Sequence, residues 1–456
     1  KNIVHHFNKG SPRGPENSTL NVPFHKIYMG FHRLAINGLD KHSGQPMEID
    51  NCVLICNGEI YNHTYLAEIS KLTMTTKSDC EIIIHLYKKY GAYQTLKMLD
   101  GVFAFVLLDK KKGKVIVARD CYGVRPLFEM SNGSMFVFSS EMKTMVGLNM
   151  LFNKRITQFP PGTISSYSIN NGYWSLDYKN RSFCSINTHI NPCINDVVKA
   201  RVAIRKSLVN AVEKRVKNTD RKIACLLSGG LDSSLITALV SRLVPKGELE
   251  TYSIGMKGSE DLQYAQKVAD YLGTKHTQIE LTEAEFLKAI PEVIYAIESY
   301  DTTTVRASVG NYLVAQYISN HSDAKVIFNG DGSDEVCGGY LYFHYSPDCI
   351  EFDIECNRLL KDIHYFDVLR SDRSISSAGL GARTPFLDRN FVQTYLSIPP
   401  HIRCHKTNMQ NEKYLLRSAF ADMKILPNEV LFRKKEAFSD GVSTSKRPWY
   451  ESIQND

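Results

Sequence analysis

At 456 residues the chain is long enough for two or three domains. Apolar residues make up 43% and charged residues 23%, which excludes a disordered or fibrous chain. Lys and Arg outnumber Asp and Glu by 55 to 48, and a net charge of +7 spread over this length gives no footprint for nucleic acid. No apolar run approaches the roughly 18 residues of a membrane span, and residues 1–9 lack a signal-peptide core. Eleven Cys are scattered, among them Cys52, Cys56, Cys225, Cys337 and Cys404. They have neither the spacing of a zinc site nor the density of a disulfide framework, so a cytoplasmic, reducing location is expected.

Residues 22–175 hold short apolar runs bounded by Gly, Asn and Pro, such as 52–58, 102–109 and 114–119, and these read as strands. One helical pattern, 80–87, falls among them. A layered α+β domain with largely antiparallel sheet is expected over residues 1–180. The aperiodic stretch 180–195 reads as a linker. Beyond it, residues 195–456 change rhythm: a helix over 197–216, a buried strand at 223–227, and a helix marked by Leu231, Leu235, Leu239 and Leu243. A strand at 251–255 and a helix over 261–272 stopped by Gly273 follow. Strand and helix in alternation predict an α/β domain with a parallel sheet and a ligand at the carboxyl ends of its strands.

The sharpest local signal is Ser228-Gly229-Gly230-Leu231-Asp232-Ser233 at the end of the predicted strand. Two glycines let the backbone approach an anion, and the helix that follows points its first N–H groups at it. Phosphate or pyrophosphate is the natural guest, although the loop is neither a Walker A nor a dinucleotide fingerprint. A second loop, Asn329-Gly330-Asp331-Gly332-Ser333-Asp334-Glu335, concentrates three carboxylates after another strand, and its oxygens suit Mg²⁺ held together with phosphates. Asp232 and Asp334 are the candidate metal ligands. Arg306 and Lys435 are the candidate cations for departing pyrophosphate.

In the first half, Asn57-Gly58-Glu59 closes an apolar strand. An Asn side chain and the next N–H can form an oxyanion hole, and a bare turn is the competing reading. Phe31-His-Arg33, Ser78-Asp79-Cys80 and the string 118–127 add an Arg and Asp set able to hold the carboxylate and ammonium of an α-amino acid.

Taken in order, these segments, with Arg13-Gly-Pro, Thr304-Val-Arg306-Ala-Ser, Gly338-Gly-Tyr-Leu-Tyr-Phe-His, Arg383-Thr-Pro-Phe-Leu-Asp and Glu436-Ala-Phe-Ser-Asp-Gly, resemble the glutamine-hydrolysing asparagine synthetase family over almost the whole chain. The resemblance implies an αββα class II glutamine amidotransferase (Ntn-hydrolase-like) domain followed by an ATP-pyrophosphatase synthetase domain. It implies that Arg33, Asn57, Gly58, Glu59 and Asp79 bind L-glutamine. Leu226, Ser228, Gly230, Asp232, Ser233, Ile254, Asn329 and Gly330 would contact ATP. Thr303, Arg306, Asp331 and Lys435 would meet the phosphates or the intermediate, and Asp232 and Asp334 would hold Mg²⁺. The implied reaction adenylates L-aspartate to β-aspartyl-AMP and displaces AMP with ammonia from glutamine. The substrates are small molecules, with no nucleic acid or membrane partner, and a homodimer is left open.

Three departures bear on that expectation. The family nucleophile, an N-terminal Cys, does not occur ahead of Arg13, and the expectation is that this sequence begins downstream of it. Asp331 stands where the family carries Glu, and Tyr345 follows His344 where the family tends to carry Lys. The alternative reading is an ammonia-dependent or related adenylating synthetase with an inactive glutaminase domain. A catalytically dead ATP-binding regulator is less consistent with keeping both Asp232 and Asp334.

Overall fold

Residues 52–56 are apolar at every position because both faces of the strand they begin are covered. In the computed structural model, which describes residues 2–133, 135–148, 155–170, 172–186, 189–405, 411–435 and 449, the chain divides into two units, Lys1–Ser185 and Ile186–Asp456. The Glu436-Ala-Phe-Ser-Asp-Gly segment lies outside the described residues.

In the first unit β1 (Asn17–Phe24) and β2 (Ile27–Arg33) form an antiparallel ribbon. β3 (Met47–Ile49), β4 (Cys52–Ile60), β5 (Gly101–Asp109) and β6 (Lys114–Arg119) follow. β7 (Phe128–Ser131), β8 (Phe136–Ser139) and β9 (Thr157–Gln158) make a three-stranded sheet, and β10 (Thr163–Asn170) and β11 (Tyr173–Ser182) return to the main one. That main sheet has the order β11-β10-β6-β5-β4-β3 and is antiparallel throughout. Alternation assigns the two faces of β4. Cys52, Leu54 and Cys56 pack with Ile82, Ile83, Leu86 and Leu96 from the helices Glu81–Tyr90 and Ala92–Met98. Val53 and Ile55 face the other way, toward Met29, Leu127 and Phe159. A sheet buried on both faces explains why β4 and β5 read as continuous apolar runs.

Cys121 and Cys184 are joined as a disulfide with Cα atoms 5.7 Å apart, a pairing that the scattered spacing did not predict. Backbone bonds from Gly162 to Asp120 (2.8 Å) and from Phe183 to Gly162 (3.0 Å) bring the two segments together despite 63 residues of separation. The other nine cysteines remain thiols, seven of them buried.

In the second unit β12 (Ile223–Leu226), β13 (Glu250–Met256), β14 (Lys275–Leu281), β15 (Val326–Phe328) and β16 (Gly381–Arg383) form a parallel sheet ordered β14-β13-β12-β15-β16. The chain leaves β12 toward β13 and β14, then returns to β12's other side as β15. The order therefore switches between β12 and β15, and the crevice beyond their carboxyl ends is where such sheets bind ligands.

The helices fall close to their predicted spans, at Val197–Lys217 and Glu260–Leu272, the latter closed by Gly273 in the left-handed region. The Leu231–Ser241 helix ends before Leu243, because Pro245 lies just beyond and cannot continue it. Asp388, the last residue of the Arg383-Thr-Pro-Phe-Leu-Asp string, closes the unit. It caps the helix Arg389–Leu396 and pairs with Arg215 (2.6 Å) and Lys214 (2.5 Å) of the helix Val197–Lys217.

Candidate active site

At the carboxyl end of β12 the chain turns through Ser228-Gly229-Gly230 into the helix Leu231–Ser241, whose N-cap Gly230 contributes no side chain. The first amides of that helix thus have no capping oxygen and present a positive helix end. The loop is braced from within: the Ser228 N–H donates to Ser233 Oγ (3.1 Å), and the two serine hydroxyls are 2.9 Å apart. Gly229 adopts φ +75°, and a Cβ there would lie 2.6 Å from the Ala265 nitrogen, so the loop packs directly on the helix Glu260–Leu272.

At the carboxyl end of β15, Gly330 passes the start of the Leu231–Ser241 helix so closely that a Cβ would stand 2.8 Å from the Asp232 backbone carbon. The close pass brings the two loops together. Ser333 Oγ donates to Asp232 Oδ1 at 2.8 Å. Asp232 Oδ2 and Asp334 Oδ1 both face the ammonium of Lys413, at 2.6 and 2.5 Å, and Lys435 Nζ bonds Asp334 Oδ2. Burial by itself would push the Asp334 carboxyl up, but Lys413 and Lys435 outweigh it and hold it well below the ordinary carboxylate range. Burial likewise disfavours charge on Lys413, and the two aspartates overcome it and hold the ammonium above the ordinary lysine range. Sequence reasoning missed Lys413. Its only local signal is one charged residue at the start of the apolar run Tyr414–Phe420.

Beside this pair lies a second charged group. Arg370 donates to Asp331 (3.2 Å) and, through Nε, to Asp367 (3.1 Å), while Tyr340 bridges Glu335 and Asp367. Burial pushes the Asp331 carboxyl up against the pull of Arg370, and Asp331 Oδ2 has no hydrogen-bond partner among the described residues. Burial, with Asp367 and Asp334 nearby, pushes Glu335 up further. Arg370 and Asp367 carried no motif that marked them in the sequence, and Tyr340 lay within the Gly338-Gly-Tyr string without a role assigned to it.

The remaining candidates in this unit divide. Asn329 is buried, with its amide on Ser371 Oγ (2.7 Å) and its carbonyl oxygen taking the Asp331 N–H (3.3 Å), so its side chain shapes the loop. Ile254 and Leu226 belong to the apolar cluster behind the sheet. Thr303 is exposed and Arg306 half-buried in the first turns of the helix Thr302–His321. Neither shares a hydrogen bond or ion pair with the two loops among the described residues, and Arg306 Nε is buried without a hydrogen-bond partner. The Lys435 segment is tied down by Arg433, which pairs with Asp261 at 2.9 Å on the helix Glu260–Leu272, against which the Ser228 loop packs.

In the first unit, Asn57, Gly58 and Glu59 end β4. Asn57 Nδ2 donates to Ser140 Oγ (3.2 Å), and Glu59 Oε1 pairs with Arg125 at 3.0 Å. A Cβ on Gly58 would come within 2.5 Å of the Val102 carbonyl oxygen, which fixes glycine at this pairing with β5. Asp79 Oδ2 accepts the Ile60 N–H (2.7 Å), binding the Ser78-Asp79-Cys80 segment to the same strand end. Arg33, at the end of β2, donates to the Gly38 carbonyl (2.5 Å). The string 118–127 works differently from its expected role. Asp120 takes the N–H groups of Phe103, Tyr122, Val124 and Arg125, and Arg119 donates to the carbonyls of Gly123, Arg125 and Phe159. Both brace the loop, and Arg125 reaches the strand end through Glu59.

The sequence matches known protein families over most of the chain. The asparagine synthase family model matches residues 203–353 and 351–456, and a glutamine amidotransferase domain model matches residues 1–166. The glutamine-hydrolysing asparagine synthetase of Homo sapiens is 42% identical over 447 residues, covering 93% of this chain and 79% of its own. That of Gallus gallus is 42% identical over 455 residues, with 95% and 80% covered. Among solved structures, the allosteric regulatory enzyme of purine biosynthesis overlays 61% of this chain and 78% of its own, at 16% identity and a TM-score of 0.34, too loose a likeness to argue from.

The class is a ligase that joins an amidotransferase domain to an ATP-utilising synthetase domain in one chain. Within that class, the chain belongs to the glutamine-hydrolysing asparagine synthetase family.

Proposed function

We propose that this chain makes L-asparagine from L-aspartate, consuming ATP and taking nitrogen from L-glutamine. The observation that carries the synthetase half is the meeting of Asp232 and Asp334 from two loops at the switch point of a parallel sheet. Phosphates of ATP would lie against the Leu231–Ser241 helix start, with the Ser228 and Ser233 hydroxyls and Gly230 at the loop and Gly330 alongside. The aspartate carboxylate attacks the α-phosphorus, giving β-aspartyl-AMP and pyrophosphate. Ammonia then attacks the acyl carbon, releasing AMP and asparagine. Lys435 and Arg306 are placed in this reading on the departing pyrophosphate, with Thr303 nearby, and Asp331 toward the intermediate.

Asp232 and Asp334 suit Mg²⁺, since two hard oxygens already converge on one cation. Among the described residues no cluster of three or more His, Cys, Asp or Glu forms, so the phosphates would complete the coordination. When bound, the ion supplies positive charge to the phosphate oxygens. In the amidotransferase half, the Asn57 amide and the Gly58 N–H would receive the oxyanion of glutamine hydrolysis, with Arg33, Glu59 and Asp79 around the amino acid. A cytoplasmic location is part of this reading, to be measured by fractionation, and light scattering decides whether the chain forms the homodimer left open above. Among the described residues no helix is long and apolar enough to cross a membrane.

The test is the purified protein with ATP, Mg²⁺, aspartate and either ammonium or glutamine, followed for AMP, pyrophosphate and asparagine. Formation of all three supports the reading, and no asparagine from either nitrogen source overturns it.

A further inference from the structure

Lys413 lies outside every motif named above, yet it is the residue on which the two loops converge. It precedes the helix Tyr414–Phe420 with φ +56°, a left-handed conformation that a lysine adopts at a cost. Its side chain is 1% exposed, whereas those of Asp232 and Asp334 are 19% and 20% exposed, so the ammonium sits beneath the carboxylates and they open outward. Gly339 forms the wall beside it. A Cβ there would fall 1.9 Å from Lys413 Cε and 2.1 Å from Asp334 Oδ1.

We propose that Lys413 is a positioning residue: a tethered counter-cation that holds Asp232 and Asp334 facing one another and keeps a divalent ion out until nucleotide phosphates arrive with it. The inference rests on the reading that these aspartates hold Mg²⁺ with ATP. Charge balance carries it. Without nucleotide, two carboxylates meet two ammonium groups, Lys413 and Lys435, and the group is neutral. The neighbouring Asp331 and Asp367 share a single cation, Arg370, so that second group keeps one negative charge of its own, and it forms no ion pair with Lys413 or Lys435 among the described residues. A bare divalent ion entering this half-buried place would meet like charge within a few ångströms, where the dielectric is low. A nucleotide brings its own negative charge, gives both lysines a new partner, and frees the carboxylate oxygens for the metal. Loss of Lys413 leaves a net negative pair that binds a divalent ion unaided.

Mn²⁺ is the probe, titrated at neutral pH and followed by the loss of the free-ion electron paramagnetic resonance signal, in the presence and absence of ATP and with a Mn²⁺–ATP blank. The wild-type protein is expected to take up Mn²⁺ with ATP and to bind it about tenfold or more weakly without. K413M is expected to gain about tenfold or more in Mn²⁺ affinity without nucleotide, a gain that structural damage does not produce. Wild type that binds Mn²⁺ equally with and without ATP, or a folded K413M with no gain, overturns the inference. If K413M fails to fold, K413Q carries the same comparison, and the wild-type pair of titrations decides alone. Absence of protein-bound Mn²⁺ even with ATP overturns the metal reading itself, and this inference with it.

Discussion

Arg125 reaches back from the loop after β6 to place a guanidinium nitrogen 3.0 Å from Glu59 Oε1, and both side chains are closed to solvent. The pair joins the loop that Asp120 braces to the strand end that carries Asn57 and Gly58. Removing one member of a buried pair costs about 3 kcal/mol or more, because the remaining charge stays in low dielectric. Arg125→Ala is therefore expected to displace Glu59 and weaken glutamine binding by about tenfold or more, read by titration calorimetry. ATP-dependent asparagine formation from ammonium should stay near wild type. An unchanged glutamine affinity would mean that the pair only supports the fold.

Gly339 has no room for a side chain. A methyl group there would overlap Lys413 Cε at 1.9 Å and Asp334 Oδ1 at 2.1 Å, and relief requires one of them to leave the other. Gly339→Ala is expected to lower ammonium-dependent asparagine formation by about tenfold or more, as for other losses of a charged positioning contact, while glutamine binding in the other unit holds. Wild-type rates from this variant would show that Lys413 and Asp334 can separate without consequence.

Much of this was legible in the sequence, and the boundary is physical. The loops at Ser228 and Asn329 are contiguous strings whose glycines and acids serve one place, so spacing alone marks them. Lys413 is invisible to that approach because it is 181 residues from Asp232 and sits at the start of an ordinary apolar helix. Arg370, 39 residues from Asp331, is hidden in the same way, whereas Tyr340 lay in the Gly338-Gly-Tyr string and only its bridging of Glu335 and Asp367 was not legible. The strings 118–127 and 383–388 stood out, but most of their polar atoms turn inward: Asp120 and Arg119 bind backbone, and Asp388 binds Arg215. Distinctive polar residues in a short string can thus brace a fold as readily as hold a ligand. The Cys121–Cys184 bond depended on how β10 and β11 return, which no local pattern encodes.

Asp388 offers a pH test. Burial would raise its carboxyl, but Arg215 and Lys214 outweigh burial and hold it below the ordinary value. A depressed carboxylate stabilises the fold above the unfolded-state value of about 3.9, and the stabilisation disappears as pH falls through that value toward the lower folded one. Asp388→Asn should cost about 3 kcal/mol at neutral pH, measured by urea unfolding, because Arg215 keeps its charge at 2% exposure. The difference from wild type should shrink as pH drops below about 4. Asn keeps the helix cap, so a gap that is constant with pH would show that packing around the new amide, not the ion pair, carries the effect.

Asp331 is the opposite case, and it separates stability from activity. Burial pushes its carboxyl up despite Arg370, and one oxygen has no hydrogen-bond partner among the described residues. A carboxyl with a raised folded value favours folding most below its unfolded value, and that advantage is lost as pH rises through the folded one. At neutral pH the ionised group is thus a burden on the fold, as charged groups kept for chemistry often are. Asp331→Asn keeps the shape and removes the charge. Arg370 retains Asp367 as a partner at 3.1 Å, so the change leaves no isolated cation. The variant is expected to be at least as stable as wild type at pH 7 and to lose that advantage at acid pH, while asparagine formation falls by about tenfold or more. Destabilisation at pH 7 with activity retained would instead make Asp331 a structural partner of Arg370.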